Sequence, residues 1–131
     1  MEYPAAVRDA FFHPRHHGPL AGGRNCRGTA GDSGAGERVE FEARIRDGRI
    51  DAIAFRAYGS PWVIAACERL AAALTGAAVA TARACEPSAL AAELSLPPEK
   101  RSSLLTVQDA LRNCLVDWDT TQPVGGPPGR P

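Results

Sequence analysis

Residues 38–58 contain the pattern that most restricts the fold of this chain, because two alternating segments flank the dipeptide Asp47-Gly48. In residues 38–46, apolar and charged side chains alternate, which is typical of a strand with one buried and one solvated face. Asp-Gly is favoured in two-residue hairpin turns, where both positions need positive φ. The return segment, residues 49–58, is again suited to a strand. We therefore expect an antiparallel hairpin whose charged face is open to solvent.

Helical patterns lie on both sides of this hairpin. Residues 4–12 suit a short helix with Pro4 in its first turn. After the hairpin, Ser60 and Pro61 resemble an N-cap residue followed by the first helical residue. We therefore expect the Ser60 hydroxyl to cap a second helix, which ends near Thr75.

The remaining segments are less regular. Residues 21–37 are rich in glycine and predict a flexible loop with room for a short edge strand. Residues 77–95 suit short helices interrupted at a proline, and residues 96–100 predict a rigid extended break. Leucines at helical spacing predict a final helix over roughly residues 99–118. Strands in the first half and helices in the second half indicate an α+β domain.

The chain of 131 residues suits one domain, which we place at residues 1–118. Residues 119–131 are rich in proline and glycine and poor in apolar side chains, so we expect a disordered tail. The formal net charge is zero, which gives no overall field to attract nucleic acid. No segment is long and apolar enough to span a membrane, and no signal peptide is recognisable. These features predict a cytoplasmic protein.

The four cysteines are widely spaced, as expected for thiols that stay reduced inside a cell. We expect Cys67 and Cys114 to pack as small apolar residues. The three histidines between residues 13 and 17 fit a polar loop better than a metal site. No G-x-S-x-G, H-E-x-x-H or nucleophile–base pair is recognisable, so the chain is not expected to be an enzyme.

Several short runs occur in the same order as in a known family. They are F-H-P-R-H-H-G at 12–18, T-A-G-D at 29–32, A-F-R-A-Y-G-S at 54–60 and L-P-P-E-K-R-S-S at 96–103. Together they resemble the IscU/NifU N-terminal scaffold family, on which iron–sulfur clusters are assembled. The resemblance covers residues 3–118. It implies an IscU-like sandwich, in which helices pack on one face of a small antiparallel sheet of about three strands.

The resemblance also identifies where the family's ligands would lie. The three ligand cysteines of the family correspond to Ala30, Ser60 and Ser103, and the histidine that often precedes the third cysteine corresponds to Ser102. Only the aspartate of the first motif is retained, as Asp32. A serine hydroxyl is a poor iron ligand compared with a thiolate. We therefore expect no cluster, iron or zinc at these positions.

The resemblance implies a scaffold-like protein of iron–sulfur cluster assembly that has lost its ligands and acts through partner binding. Family members work with a cysteine desulfurase and an Hsp70-type chaperone, so these are the expected partners. The chaperone reads a segment that corresponds here to Leu96, Pro97, Pro98 and Lys100, although Glu99 replaces an apolar residue.

Two alternatives remain open from the sequence. The first is a scaffold with a displaced metal site, for which Asp32 and Cys67 are the ligands, assisted by Cys26 or by a histidine from 13–17. The second is a module that binds a small molecule or a protein in the vacated pocket.

Overall fold

The computed structural model describes residues 3–22 and 25–121. Three antiparallel strands form one sheet in the order β1-β2-β3. They are β1 (Cys26–Asp32), β2 (Glu37–Arg46) and β3 (Arg49–Tyr58). Asp47 and Gly48 join β2 to β3 with φ angles of 54° and 74°, which confirms the predicted hairpin. The expectation for the glycine-rich segment is only partly right, because it contains β1, a strand of 7 residues.

Five α-helices accompany the sheet in the described part of the chain: α1 (Ala5–Phe12), α2 (Pro61–Leu74), α3 (Val79–Arg83), α4 (Ala89–Glu93) and α5 (Ser103–Thr121). α2 packs on β3, α5 packs on β1 and β2, and the two helices contact each other. They therefore cover the same face of the sheet, as the predicted sandwich requires. Among the described residues, no helix has the length and apolar character needed to cross a membrane.

The C-terminal half differs from the sequence prediction at both ends of α5. Residues Pro98–Lys100 form a 3₁₀ turn rather than an extended break, so α5 begins at Ser103 and not near residue 99. Residues 119–121 belong to α5, so the prediction of disorder is wrong for them. The rest of the predicted tail, residues 122–131, lies outside the described residues.

α5 runs antiparallel to β1 and lies unusually close to it. A Cβ atom added to Gly28 would lie 1.9 Å from the backbone nitrogen of Cys114, so any side chain at this position would collide with the helix. Asn113 Nδ2 donates a hydrogen bond to the Thr29 carbonyl oxygen (2.8 Å). Nearer the other end of the strand, a Cβ on Gly31 would lie 3.1 Å from Thr106 Cγ2. The glycines of the loop-like sequence therefore let the helix approach the strand.

The outer face of the sheet is not simply solvated, as the charge pattern had suggested. The Glu42 side chain is only 7% exposed. It accepts hydrogen bonds from the Leu20 backbone nitrogen (3.3 Å) and from Asn25 Nδ2 (2.7 Å), and it lies 3.6 Å from the guanidinium of Arg27. These partners offset the cost of burying the carboxylate.

A second buried carboxylate fixes the histidine-containing loop. Glu68 on α2 accepts hydrogen bonds from the backbone nitrogens of Arg15 (2.9 Å) and His16 (2.8 Å). Its other oxygen lies 2.6 Å from His16 Nδ1. The loop that follows α1 is thereby attached to the core helix.

Candidate functional site

The structure brings the family's ligand positions to one end of the sheet. Ala30 lies near the end of β1, Ser60 lies between β3 and α2, and Ser103 is the first residue of α5. Ala30 pairs with Val39 and Asp32 pairs with Glu37, so Ala30 and Glu37 are diagonal neighbours across β1 and β2. The sequence comparison had not singled out Glu37, yet its side chain lies among these segments.

Glu37 connects the start of α5 to the end of the sheet. Ser103 is 6% exposed, and its hydroxyl donates a hydrogen bond to Glu37 Oε1 over 2.6 Å. On the other side, a Cβ added to Gly59 would lie 3.7 Å from Glu37 Cγ. A carboxylate and a hydroxyl therefore occupy the space where the family resemblance places thiolates.

Ser60 does not act as the predicted helix cap. It stands at the N-cap position with φ −72° and ψ 163°, but its side chain makes no capping hydrogen bond. The backbone nitrogen of Val63, a normal target for such a cap, donates to the Ser60 carbonyl oxygen at 3.0 Å. The Ser60 hydroxyl oxygen is buried and has no hydrogen-bond partner among the described residues. A buried hydroxyl without a partner costs about 1–3 kcal/mol.

Asp32, the one retained residue among the family's ligand positions, is engaged in a local turn. Its side chain is exposed, and Oδ1 accepts a hydrogen bond from the Gly34 nitrogen at 3.1 Å, which caps the 3₁₀ turn Ser33–Ala35. A side-chain capping bond, which the sequence predicted for Ser60 at the start of α2, is therefore made by Asp32 at the start of a different element, the 3₁₀ turn.

Cys67, the other residue of the displaced-site hypothesis, is fully buried on α2. Burial raises the pKa of its thiol, and the negative charges of Glu37 and Glu68 raise it further. A metal ligand must be the thiolate, so this environment opposes metal binding. Asp32 and Cys67 therefore occupy very different environments, one at the surface and one in the core.

The donor set does not fit a cluster or a zinc ion. Ser103 already donates to Glu37, and the Ser60 hydroxyl oxygen is buried without a hydrogen-bond partner among the described residues. Ala30 has no side-chain donor atom, and Ser102 is exposed. Within residues 3–22 and 25–121, no three His, Cys, Asp or Glu side chains are arranged to hold a metal ion.

The predicted chaperone-binding segment is divided between core and surface. Leu96 is 5% exposed and belongs to the hydrophobic core, so its side chain is not available to a partner in this conformation. Pro98 is exposed, whereas Pro97 and Lys100 are half-buried. The surface that a partner can reach is therefore the 3₁₀ turn rather than the whole segment.

Glu37 lies one residue before the alternating segment 38–46, so the sequence pattern does not single it out. Side chains at every second residue of a strand point to the same face. Glu37 is two residues before the fully buried Val39 and four before Phe41, so the alternation places it on the inner face of the sheet. A charged residue at an inward position near three family ligand positions was the signal available in the sequence.

Comparisons with known proteins identify the family to which this fold belongs. The family described as the NifU-like N terminal domain matches residues 2–123. The chain is 33% identical over 112 residues to the nitrogen fixation protein NifU of Cereibacter sphaeroides, covering 85% of this chain and 45% of that protein. It is 28% identical over 125 residues to the iron–sulfur cluster assembly scaffold protein IscU of Haemophilus influenzae, covering 93% of this chain and 99% of that protein.

Two solved structures share the fold at low sequence identity. The N-terminal NifU-like protein of Brucella abortus superposes with a TM-score of 0.68 at 16% identity, covering 91% of this chain and 95% of that one. A putative scaffold protein for the SUF system from Fervidobacterium islandicum gives 0.66 at 14% identity, covering 86% and 96%. This α+β domain is of the class to which scaffold proteins of iron–sulfur cluster assembly belong. The chain is a member of the NifU-like N-terminal domain family.

Proposed function

We propose that this chain is a scaffold-like protein of iron–sulfur cluster assembly that carries no cluster at the family's ligand positions and acts through partner binding. Family membership supports the link to cluster assembly. The observation that carries the proposal is the hydrogen bond from Ser103 to Glu37, because the third ligand position holds a hydroxyl already committed to a carboxylate.

The chemistry of this end of the sheet explains why a cluster is not expected there. Iron–sulfur clusters are held mainly by thiolates, which are soft anionic ligands. Ser60 and Ser103 offer hydroxyls, and Ala30 offers nothing. Glu37 supplies a hard oxygen donor whose preferred partner, the Ser103 hydroxyl, is already in place.

If the chain acts by binding partners, the partners must contact its exposed surface near the family's ligand positions. By resemblance, the partners are a cysteine desulfurase and an Hsp70-type chaperone. Pro98 and Lys100 lie in the accessible 3₁₀ turn and are the residues that a chaperone would contact first.

The metal part of the proposal is tested on protein purified without oxygen. We expect a colourless sample with sub-stoichiometric iron and zinc, both as isolated and after incubation with ferrous iron and sulfide followed by desalting. Near-stoichiometric metal that is lost in Cys67→Ala would contradict the proposal and favour the displaced site.

The partner part is tested separately by measuring complex formation with a purified cysteine desulfurase and with an Hsp70-type chaperone. We expect at least one stable complex, and chaperone binding should weaken in Lys100→Glu. Arg112→Glu makes the same charge change at an exposed position of α5 and is the matched control. Absence of both complexes would overturn the partner-binding role while leaving the metal result intact.

A further inference from the structure

Two cysteines meet at the end of the β1–α5 interface that is remote from Glu37. Cys26 begins β1 and Cys114 lies on α5, 88 positions further along the chain, yet their Sγ atoms are 3.6 Å apart. Both residues are buried, with exposures of 6% and 0%.

The surrounding backbone holds the two sulfurs in this arrangement. Cys26 Sγ lies 3.3 Å from the Ala43 carbonyl oxygen, and Cys114 Sγ lies 3.5 Å from the Cys26 carbonyl oxygen. Gly28 lets the backbone of α5 approach β1 at this point, as described above. The pair is therefore fixed by close backbone packing and not by flexible surface segments.

The two thiols differ in their acidity because each modifies the other. The hydrogen bond between the two sulfurs lowers the pKa of Cys26, although burial acts in the opposite direction. The same hydrogen bond, together with burial, raises the pKa of Cys114. Cys26 is also the partner that a peroxide can reach, because it is slightly exposed at the start of an edge strand, whereas Cys114 is fully buried.

We propose that Cys26 and Cys114 form an oxidative modification site, which hydrogen peroxide converts into an intramolecular disulfide. The Cys26 sulfur attacks one peroxide oxygen, so that an S–O bond forms and the O–O bond breaks. The departing hydroxide takes up the proton that Cys26 lost, which gives a sulfenic acid and one water molecule.

The Cys114 sulfur then attacks the Cys26 sulfur, so that the S–S bond forms and the S–O bond breaks. The second hydroxide leaves with the Cys114 proton as another water molecule. In total, the two thiols lose two electrons and two protons, and the peroxide is reduced to two water molecules.

The required movement is small. A disulfide needs an S–S distance of about 2.05 Å, so the sulfurs must approach by about 1.5 Å from their present separation. The disulfide would tie β1 covalently to α5, the elements that carry Ala30 and Ser103. Because the closed loop is long, we expect the oxidised form to melt on the order of 5–15 °C higher than the reduced form.

The test treats the reduced full chain with hydrogen peroxide, removes the peroxide, and alkylates the remaining thiols in denaturant. We expect two of the four thiols to become unreactive in the monomer, with a cross-linked peptide pair containing Cys26 and Cys114. Dithiothreitol should restore both thiols and the lower melting temperature. A Cys85→Ser background removes the half-buried thiol that would complicate counting through disulfides between chains.

Single variants separate the two steps. In Cys114→Ser, a sulfenic acid at Cys26 should accumulate and react with dimedone, whereas Cys67→Ser should still form the disulfide. The proposal is overturned if wild-type protein keeps Cys26 and Cys114 alkylatable under conditions that oxidise Cys85. It is also overturned if Cys26 proceeds to sulfinic acid while Cys114 remains a free thiol.

Discussion

The two ends of the β1–α5 interface carry different chemistry on the same backbone geometry. At one end, which we call the oxygen-rich end, the Ser103 hydroxyl of α5 meets the carboxylate of Glu37 on the neighbouring strand β2 over 2.6 Å. At the other end, the sulfurs of Cys26 and Cys114 lie 3.6 Å apart. The antiparallel path of α5 along β1 fixes the meeting of the cysteines, and the pairing of β1 with β2 brings Glu37 beside the start of α5. The topology therefore determines which positions lie close together, whereas the individual side chains determine what those positions can bind.

The largest effect is expected from restoring sulfur at the oxygen-rich end. The quadruple variant carries the changes Ala30→Cys, Ser60→Cys, Ser102→His and Ser103→Cys. We predict that this variant binds zinc tightly and that zinc raises its melting temperature, whereas the wild type shows neither effect. Structural zinc sites contribute on the order of 10 kcal/mol of apparent binding free energy. Titration against a competing chelator measures the affinity.

Glu37 provides the control for this experiment. Adding Glu37→Ala to the quadruple variant removes a carboxylate beside the new thiolates, so zinc binding should persist through sulfur and nitrogen alone. If the quadruple variant binds zinc no more tightly than the wild type, then these four positions do not converge and the comparison of the two ends fails.

The next largest effect concerns the close approach at the sulfur-containing end. Gly28→Ala places a Cβ 1.9 Å from the Cys114 nitrogen and must push α5 away from β1. We expect a loss of more than about 3 kcal/mol in the free energy of unfolding, measured by urea denaturation. Gly34→Ala is the matched control, because its nearest neighbours, the Asp32 carboxylate oxygens, lie at 3.4 Å or more. Equal losses in the two variants would show that the interface is looser than described.

The hydrogen bond between Glu37 and Ser103 is measurable by a double-mutant cycle. We expect a coupling free energy of about 1–2 kcal/mol between Glu37→Ala and Ser103→Ala, because one partner is charged and the other is buried. The exposed neighbour Ser102→Ala should give no coupling to Glu37→Ala. Coupling of similar size for both serines would mean that the effect is not due to this bond.

The thiol beneath the oxygen-rich end predicts a dependence on pH. The pKa of Cys67 is raised above its ordinary value of 9.0 in the folded state. Above that pH, the thiol ionises in the unfolded chain but stays protonated in the folded one, so stability falls as the pH rises. The loss reaches about 1.4 kcal/mol per pH unit. Cys67→Ala should lose less stability than the wild type between pH 9 and pH 10, and parallel curves would contradict the assignment.

The smallest effect is expected at Ser60. A working cap would make Ser60→Ala cost about 0.5–2 kcal/mol. Because its hydroxyl is buried without a described partner, we expect no loss and a gain of up to about 1 kcal/mol. Asp32→Ala removes a capping bond that the structure does contain and should destabilise the protein. The reverse order of the two variants in urea denaturation would restore the sequence-based role of Ser60.

The sequence predicted the elements that depend on local patterns. The Asp47-Gly48 turn follows from positive φ, and the two flanking strands follow from alternation over 38–58. The burial of Cys67 and Cys114 was likewise predictable, because both lie on the apolar sides of helical patterns. Ala30, Ser60 and Ser103 lie at the same end of the sheet, and their convergence on a single metal site stays a prediction that the quadruple variant tests.

The features that the sequence did not predict depend on contacts between distant segments. For β1 the sequence predicted no more than a short edge strand within a loop, because Gly28 and Gly31 weaken the strand pattern, whereas in the fold those glycines allow the approach of α5. The Ser60 hydroxyl makes no capping bond because the backbone nitrogen of Val63 donates instead to the Ser60 carbonyl oxygen. The sequence pattern predicts a solvated Glu42, whereas in the fold its carboxylate accepts hydrogen bonds from the Leu20 backbone nitrogen and the Asn25 side chain.

Both outer edges of the sheet are already partly occupied by the chain itself. On β3, Phe55 exchanges backbone hydrogen bonds with His16 and Gly18 (2.8 and 2.9 Å), and the Ile50 nitrogen donates to the Ala77 carbonyl oxygen (2.8 Å). The loop that Glu68 attaches to α2 supplies the first two of these bonds. It thereby removes backbone groups that a foreign strand would need.

Side chains of α5 do the same along β1. Asp117 accepts from the Arg27 backbone nitrogen (2.8 Å), and Asn113 donates to the Thr29 carbonyl oxygen. Strand addition at either edge would therefore have to break existing hydrogen bonds before making new ones. We expect proteins that bind this domain to recognise its loops and side chains, and we expect copies of the domain not to associate edge to edge.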